Sequence, residues 1–176
     1  MHACVARAAA VIAAAAACSG CATRAAADSV YTSLRENDCQ APPRNVAAPY
    51  EQRDLGVQQC PAQPGWQLLL VSSDANTWVD IRGANVTWSG ERPIVYETPI
   101  GLFPSVDTAT GVEWRRDGRG GLTAVIVRVL AQDREALTTP QSRLFVVRVM
   151  AGGACLLGRV ATAAEARALA DGDRGC

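Results

Sequence analysis

The chain has 176 residues, a length that is typical of one domain. Seventeen Lys and Arg residues balance seventeen Asp and Glu residues, so no strong net charge attracts nucleic acid or an anionic membrane surface. All the basic residues are arginines, and the only histidine, His2, lies in a segment that we expect to be cleaved. The mature chain then lacks the most common general base and any lysine, which excludes most familiar catalytic mechanisms.

Residues 1–20 are predicted to be an export signal. One positive charge at Arg7 precedes an apolar run at residues 8–17, and small residues follow the run. This apolar run is about half of the roughly 20 residues that a transmembrane helix needs. A permanent membrane span is therefore the poorer interpretation of the N-terminus.

Ser19-Gly20-Cys21 predicts how the exported chain is held. A small pair before a cysteine resembles the end of the bacterial lipoprotein box, in which the cysteine receives a diacylglycerol and becomes the new N-terminus. Modification at Cys21 leaves four of the seven cysteines, an even number, whereas modification at Cys18 leaves Cys21 as an odd thiol. Cleavage after Ala27 also leaves four, so soluble export stays an alternative to the predicted lipid at Cys21.

Residues 21–30 are small and polar, which predicts a tether before a single disulfide-stapled domain at residues 31–176. Ala22 is not the aspartate that commonly retains lipoproteins in the inner membrane. The expected location is therefore the periplasmic side of the outer membrane. The soluble periplasm is the expected location if the chain carries no lipid.

Short runs with high strand propensity alternate with turn residues from residue 66 onward. Two hairpins are predicted, one at residues 66–82 and one at 111–130. The remaining strands are expected at residues 31–34, 55–59, 94–97, 143–150 and 155–160. The proline-rich stretches at 40–53 and 61–65 are expected to be loops.

Two of these runs, at residues 123–129 and 143–149, are apolar on both faces, as expected of central strands that are covered on both sides. The covering layer is predicted to be a helix after Thr162, where Glu165 completes a capping box and Gly172 ends the helix. The predicted fold class is α+β, mainly β. It is a single domain with an antiparallel sheet, sandwich or barrel-like, and one C-terminal helix.

The four remaining cysteines form two sets with the same spacing, Cys39 with Cys60 and Cys155 with Cys176. Equal spacing favours these two local disulfides among the three possible pairings. Each would close a loop worth roughly 3 kcal/mol on chain-entropy grounds. The spacing lacks the close cysteine pairs of structural zinc sites, so neither a metal nor another cofactor is predicted.

Several short motifs occur together in the mature chain: Tyr31-Thr32-Ser33-Leu34, Cys39, Cys60-Pro61 with Gly65-Trp66, Asp74, Gly101 with Phe103, Val112-Glu113-Trp114-Arg115, Cys155 and Cys176. This pattern resembles an uncharacterised family of short exported alphaproteobacterial (lipo)proteins with paired cysteines. The resemblance covers most of residues 31–176. It implies export, both disulfides and a strand-rich body, and it implies no activity.

Carboxylates are the only catalytic groups that the composition leaves. A glycoside hydrolase acting on cell-wall glycan needs two carboxyl groups about 5 or about 6.5–9.5 Å apart. Asp80, Glu97 and Glu113 are the candidates, since they lie on or beside predicted strands. Arginines such as Arg82 and Arg115 are abundant on the same strands, so ion pairing is the favoured interpretation of these acids.

Two kinds of side chain are candidate ligand contacts. Trp88 lies near a turn and is expected to be the most exposed of the four tryptophans, which suits a sugar or a peptide. Arginines recur on successive predicted strands, and Arg115 and Arg128 are the candidates for contacting an anion. A solvated or salt-bridged rim is the alternative interpretation of these arginines.

These observations predict a lipid-anchored cell-envelope protein with a non-catalytic binding or structural role. The expected partners are the membrane, through the lipid, and an envelope protein or a glycan, and nucleic acid is not expected. A carboxylate-dependent cell-wall glycoside hydrolase and a soluble periplasmic binding or inhibitor protein are the alternatives.

Overall fold

Short strands joined by tight turns build two antiparallel sheets in the computed structural model, which describes residues 27–83, 85–97 and 100–176. The predicted export signal, Cys18 and Cys21 lie outside the described residues. Among the residues that are described, no helix is long and apolar enough to cross a bilayer.

The strands are β1 Asp28–Thr32, β2 Gly56–Cys60, β3 Gln67–Ser72, β4 Thr77–Arg82, β5 Thr87–Ser89, β6 Leu102–Val106, β7 Val112–Arg116, β8 Leu122–Gln132, β9 Pro140–Met150 and β10 Gly153–Val160. The helices are α1 Arg44–Glu51, α2 Ala163–Asp171, a 3-10 turn at Glu36–Asp38 and a π-helix at Glu91–Glu97. The small sheet has the order β2-β3-β4-β5. The large sheet has the order β1-β7-β8-β9-β10, and β6 also pairs with β8.

The predicted fold class is confirmed, as are both predicted hairpins. β3 pairs with β4 across the turn at Ser73, whose backbone N–H donates to the carbonyl of Asn76. β7 pairs with β8 across a turn in which the Asp117 carboxylate accepts hydrogen bonds from the backbone N–H groups of Arg119 and Gly121. Local turn chemistry thus sets the register of both pairs.

The central strands β8 and β9 are covered on both faces, as predicted. Their inner side chains join the small sheet, Leu34 and α1 in one apolar core; these side chains are Val125, Val127, Val129, Phe145, Val147 and Val149. On the face that we call the outer face, Ile126, Leu144 and Val146 pack with Ala166 and Ala170 of α2. Because the middle residues of both strands face apolar layers on the two sides, both alternate sets are mainly apolar there.

Helix α2 is fixed at both ends. The Thr162 hydroxyl accepts from the backbone N–H of Glu165, and the Glu165 carboxylate accepts from the backbone of Thr162, which completes the predicted capping box. Beyond the other end, Cys176 forms a disulfide with Cys155 of β10. The second predicted disulfide, Cys39–Cys60, is also present, and both fit an exported protein that folds in an oxidising compartment.

Two predictions of local structure are wrong. The proline-rich stretch at 40–53 contains α1, because Pro43 lies just before the first turn and the helix buries Val46 and Tyr50 in the core. The predicted strand at 94–97 is part of the π-helix, in which Ile94 is fully buried. In both segments, burial of an apolar side chain outweighs the local propensity.

Residues 28–30, which the sequence predicts to be part of the tether, belong to a strand. β1 begins at Asp28 and pairs with β7 over its whole length. The Asp28 carboxylate forms an ion pair with Arg116, 2.5 Å apart, directly across the two strands. The polar side chains of Asp28 and Ser29 thus fit in β1 because Arg116 and Arg115 of β7 bind them.

Candidate functional site

A cleft opens on the outer face where β8 extends past its neighbour β7. The pairing of β7 with β8 ends at Val127, and β6 takes over at Val129, so Arg128 lies in the gap between two strands. Gly111 lies immediately before β7 and has a φ of +70°. A Cβ at this position would come within 2.5 Å of the Thr32 carbonyl oxygen. The glycine thus lets the loop pass against β1 and shapes one wall of the cleft.

The cleft has a volume of about 160 Å³ and lies between β1, β7, β8, β9 and the first turn of α2. Ile126 and Leu144 form an apolar floor. Arg128, Arg167 and Tyr31 add polar groups around the floor. This combination of apolar surface and a few directed polar groups is typical of small-molecule sites.

Glu113 is the acidic group of the cleft and is only 8% exposed. Arg167 of α2 grips the carboxylate with two hydrogen bonds, Nε to Oε1 at 2.8 Å and Nη2 to Oε2 at 3.2 Å, and Ser29 donates a third. Burial raises the pKa of Glu113, but the hydrogen bonds from Arg167 and Ser29 outweigh burial and hold this pKa below its usual value. Glu113 is therefore an ionised partner of Arg167.

Tyr31 stands at the mouth of the cleft opposite Glu113 in the strand register, and it is 57% exposed. Its hydroxyl accepts a hydrogen bond of 2.7 Å from Arg167 Nη2. Arg167 thus connects β1, β7 and α2, with its charge already matched by Glu113.

Arg115, one of the predicted anion contacts, is buried and fully engaged. Its Nε and Nη2 bind the two carboxylate oxygens of Asp171 at 3.1 and 2.5 Å, and its Nη1 donates to Ser29. Arg115 therefore fastens the last turn of α2 to β7. For Arg115 the salt-bridged interpretation is the one that the structure supports.

The other predicted contact, Arg128, is partly buried in the cleft and differs from Arg115 in its partners. Its Nη1 donates to the Ser142 hydroxyl at 2.6 Å. Among the residues that the structure describes, no carboxylate forms an ion pair with Arg128. A guanidinium has five N–H donors, and among the described residues the only hydrogen bond of the Arg128 guanidinium is the one from Nη1 to Ser142.

The interpretation of Trp88 as an exposed contact is wrong. Trp88 is 7% exposed and lies opposite Ile81 in the core of the small sheet. The neighbouring Thr87 and Ser89 are exposed, so the three-residue strand alternates and turns the indole inward. The exposed aromatic side chain at the cleft is Tyr31, which sequence reasoning did not single out as a ligand contact.

The three candidate catalytic acids are not brought together. Asp80 of the small sheet accepts hydrogen bonds from the hydroxyls of Tyr50 at 2.7 Å and Ser89 at 2.6 Å. Burial, reinforced by the bond to Asp80, raises the pKa of Tyr50. Glu97 of the π-helix forms an exposed ion pair with Arg92, whereas Glu113 lies on the large sheet.

Arg167 is the functional candidate that sequence reasoning missed. It is separated from Glu113 by 54 positions, so no local motif links them. The signal that could have found it is the helical spacing, because Arg167 follows the buried Ala166 and so borders the face that packs on the sheet.

Within the described part of the chain, no group of three or more His, Cys, Asp or Glu residues is placed to hold a metal ion. No family model, curated protein or solved structure matches the chain. The resemblance to exported alphaproteobacterial proteins therefore stays a prediction, and the functional argument rests on the geometry of the cleft.

Proposed function

We propose that this chain is a lipid-anchored protein of the cell envelope that binds a small anionic ligand in the cleft without transforming it. The observation that carries this proposal is Arg128, whose guanidinium is partly buried and is matched only by the Ser142 hydroxyl among the described residues. Burying a charge without an opposite charge costs stability. A carboxylate or phosphate ligand would supply the missing charge through two parallel hydrogen bonds.

The surroundings of the cleft support binding rather than hydrolysis. A carboxylate-only glycosidase needs one acid held neutral near pH 7 and a second carboxylate close by. The pKa of Glu113 is lowered, because the hydrogen bonds from Arg167 and Ser29 outweigh its burial. Asp80 belongs to the other sheet and is engaged with Tyr50 and Ser89. This arrangement therefore favours neither a neutral acid at Glu113 nor a second carboxylate close to it.

The anchor is part of the same proposal and rests on Ser19-Gly20-Cys21 and on the two disulfides. Six residues separate Cys21 from Asp28, where β1 begins. At about 3.3–3.6 Å per residue, a connection of this length keeps β1 within roughly 25 Å of the lipid. An anchored domain would thus present its cleft close to the membrane surface.

The anchor is tested by palmitate labelling and membrane fractionation of the wild-type chain and of Cys21→Ser. We expect the wild type to be labelled and membrane-bound and the variant to be neither. Labelling that persists in Cys21→Ser would show that another residue carries the lipid or that the label enters elsewhere.

Binding is tested on the purified protein by following the Arg side-chain Nε–Hε resonances in an NMR titration with acetate and with inorganic phosphate. We expect the Arg128 and Arg167 resonances to shift with saturation in the wild type, and the Arg167 resonance, which reports on the same cleft, to stay unshifted in Arg128→Gln. Arg143→Gln is the matched control, because Arg143 is exposed on the adjacent strand β9 and, among the described residues, donates only to the carbonyl of its neighbour Ser142. Equal binding by both variants would refute Arg128 as the anion site.

A further inference from the structure

We propose that the ligand of the cleft is an amphiphilic anion, in which a carboxylate or phosphate group bound by Arg128 is joined to an apolar group of about benzene size. This inference rests on the proposed function, because it names the class of ligand for the same site. It follows from the floor of the cleft, its volume and its charge balance.

The floor is apolar although the cleft is open to solvent. Ile126 and Leu144 belong to the core cluster beneath α2, and they also line the cleft next to Arg128. Leu144 is the cross-strand partner of Arg128, so an anion on the guanidinium lies directly beside this floor. Ile126 and Leu144 are only 3% and 7% exposed, so an apolar group attached to the anion would gain mainly by removing its own surface from water against them, which a bare inorganic anion cannot do.

Tyr31 supplies an aromatic wall for the same group. Tyr31 is 57% exposed at the mouth of the cleft, while its hydroxyl accepts a hydrogen bond from Arg167. The hydrogen bond positions the ring, and an exposed ring held in place gives contact area at little entropic cost. A ligand that extends from Arg128 across the floor reaches this ring.

The volume limits what enters. A cleft of about 160 Å³ matches the cavities of about 150 Å³ that accommodate benzene. One ring or a short branched chain therefore fits on the floor together with Arg128. A larger ligand would enter only by such an anionic end.

The charge balance favours a single acidic group. Arg128 and Arg167 are the basic residues that line the cleft, and Glu113 is the acidic one. Because Arg167 is bound to Glu113, Arg128 contributes the one unmatched charge among the described lining residues. Carboxylates and phosphate monoesters both offer two oxygens to an arginine fork, so they share this chemistry and must be separated by experiment.

The experiment measures dissociation constants of acetate, benzoate, phenyl phosphate and neutral benzamide with the same Arg128 resonance. We expect benzoate to bind at least about tenfold more tightly than acetate, since the ring buries apolar surface. We expect benzamide to bind at least about tenfold more weakly than benzoate, because it lacks the charge that the fork recognises. The tighter of benzoate and phenyl phosphate identifies the acidic group.

Two variants of Tyr31 separate ring contact from hydrogen bonding. Tyr31→Ala should raise the dissociation constant of benzoate by about threefold or more and leave that of acetate unchanged, because only benzoate reaches the ring. Tyr31→Phe keeps the ring and should retain the benzoate preference. Equal loss of acetate and benzoate in Tyr31→Ala would contradict the proposed wall.

The outcomes distinguish this inference from the proposed function. If acetate and inorganic phosphate shift Arg128 while benzoate binds no more tightly than acetate, the amphiphilic ligand is wrong and the anion site remains. If no anion shifts Arg128, the proposed function itself fails. If benzamide binds as tightly as benzoate, the cleft is an apolar pocket and the charge recognition is wrong.

Discussion

The two ends of α2 use arginines of the same sheet face in opposite ways. At the C-terminal end, Arg115 binds Asp171, and Arg148 donates to the backbone carbonyls of Ala170 and Gly172. At the N-terminal end, the capping box of Thr162 and Glu165 satisfies the helix without any arginine from the sheet. A helix C-terminus exposes carbonyl acceptors that bind arginine donors, whereas an N-terminus exposes N–H donors that no arginine can satisfy, so the sheet arginine beneath the N-terminus is left for another role.

The arginines at the C-terminal end therefore hold α2 on the sheet, whereas the arginine at the N-terminal end lines the candidate ligand site. Arg148 binds the exposed carbonyls at the end of α2, and Arg115 binds Asp171. The helix macrodipole also favours positive charges at this end. Arg128, on the same outer face, meets only the Ser142 hydroxyl among the described residues. Substitutions at the two ends should therefore differ in how much they lower the free energy of unfolding, with the largest losses at the C-terminal end.

The largest effect is expected from removing the disulfide beyond α2. The double variant Cys155→Ser with Cys176→Ser should lower the free energy of unfolding by about 3 kcal/mol, because the reduced chain regains loop entropy. Denaturant unfolding measures this loss. The matched control is Cys39→Ser with Cys60→Ser, which opens a loop with the same 21-residue separation.

Hydrogen exchange then separates the two disulfide variants. Only the loss of Cys155–Cys176 should speed amide exchange in the last turn of α2, since this disulfide holds the chain that leaves the helix. Faster exchange of α2 amides in the control as well would show that the helix end has no fastening of its own.

The next effect is expected from Arg115→Gln, which leaves Asp171, Ser29 and the buried Glu113 without this donor. Breaking a buried ion pair costs about 3–5 kcal/mol, and we expect about 2 kcal/mol here because the Asp171 side chain is 36% exposed. Chemical denaturation at neutral pH measures the change.

Arg116→Gln is the control for Arg115→Gln. Its ion pair with Asp28 is exposed, and such pairs contribute about 0–1 kcal/mol. If both variants lose the same free energy of unfolding, the Arg115 ion pair contributes no more than an exposed pair, and other contacts hold the end of α2.

Much of the fold could be predicted from the sequence because its signals are local or repeated. The middle residues of β8 and β9 are mainly apolar on both alternate sets, and this pattern favours two covering layers. The capping box before α2 needs only Thr162 and Glu165, three positions apart. Such signals do not depend on the rest of the chain.

The errors arose where burial of one side chain decides the structure. Pro49 favours a loop, yet α1 forms because its apolar face covers the core through Tyr50. Residues 94–97 have strand propensity, yet they form a π-helix with Ile94 buried. Neither contact is visible before the sheets are assembled.

The candidate site was only half predictable for the same reason. Arg128 was identified because arginines recur on successive predicted strands, which is a pattern that the sequence itself shows. Arg115 looked equivalent in sequence, and only the position of Asp171 across the fold shows that it is engaged. Arg167 and Tyr31 join the site through contacts 54 and 136 positions apart, so no local motif links them, although the helical spacing places Arg167 beside the packed face of α2.

A smaller, pH-dependent effect is expected from Glu113→Gln, which removes the ion pair with Arg167 next to the site. The pKa of Glu113 in the folded chain lies below its ordinary value of 4.5, because the hydrogen bonds from Arg167 and Ser29 outweigh burial. Its ionised form therefore stabilises the fold above about pH 5, and this contribution is lost as the pH falls through the folded pKa.

The stability gap between wild type and Glu113→Gln should thus be widest at pH 7 and narrow towards pH 3. Urea unfolding at pH 7, 5, 4 and 3 measures this gap. Glu97→Gln, which removes the exposed ion pair with Arg92, should show a small gap throughout. A gap for Glu113→Gln that stays constant from pH 7 to 3 would show that the ion pair contributes no charge-dependent stability.

The smallest effect on stability is expected from Arg128→Gln, and it is the sharpest test of the contrast between the two ends of α2. Without ligand, the free energy of unfolding should change by less than about 0.5 kcal/mol, because the variant gives up one hydrogen bond to Ser142 and no ion pair among the described residues. With benzoate at about ten times its dissociation constant, the wild type should gain about 1.4 kcal/mol by mass action. Arg128→Gln should gain none, whereas Arg143→Gln should gain as much as the wild type. A loss of 2 kcal/mol or so in Arg128→Gln without ligand, as large as that expected for Arg115→Gln, would mean that both ends of α2 are fastenings and that the cleft holds no free charge.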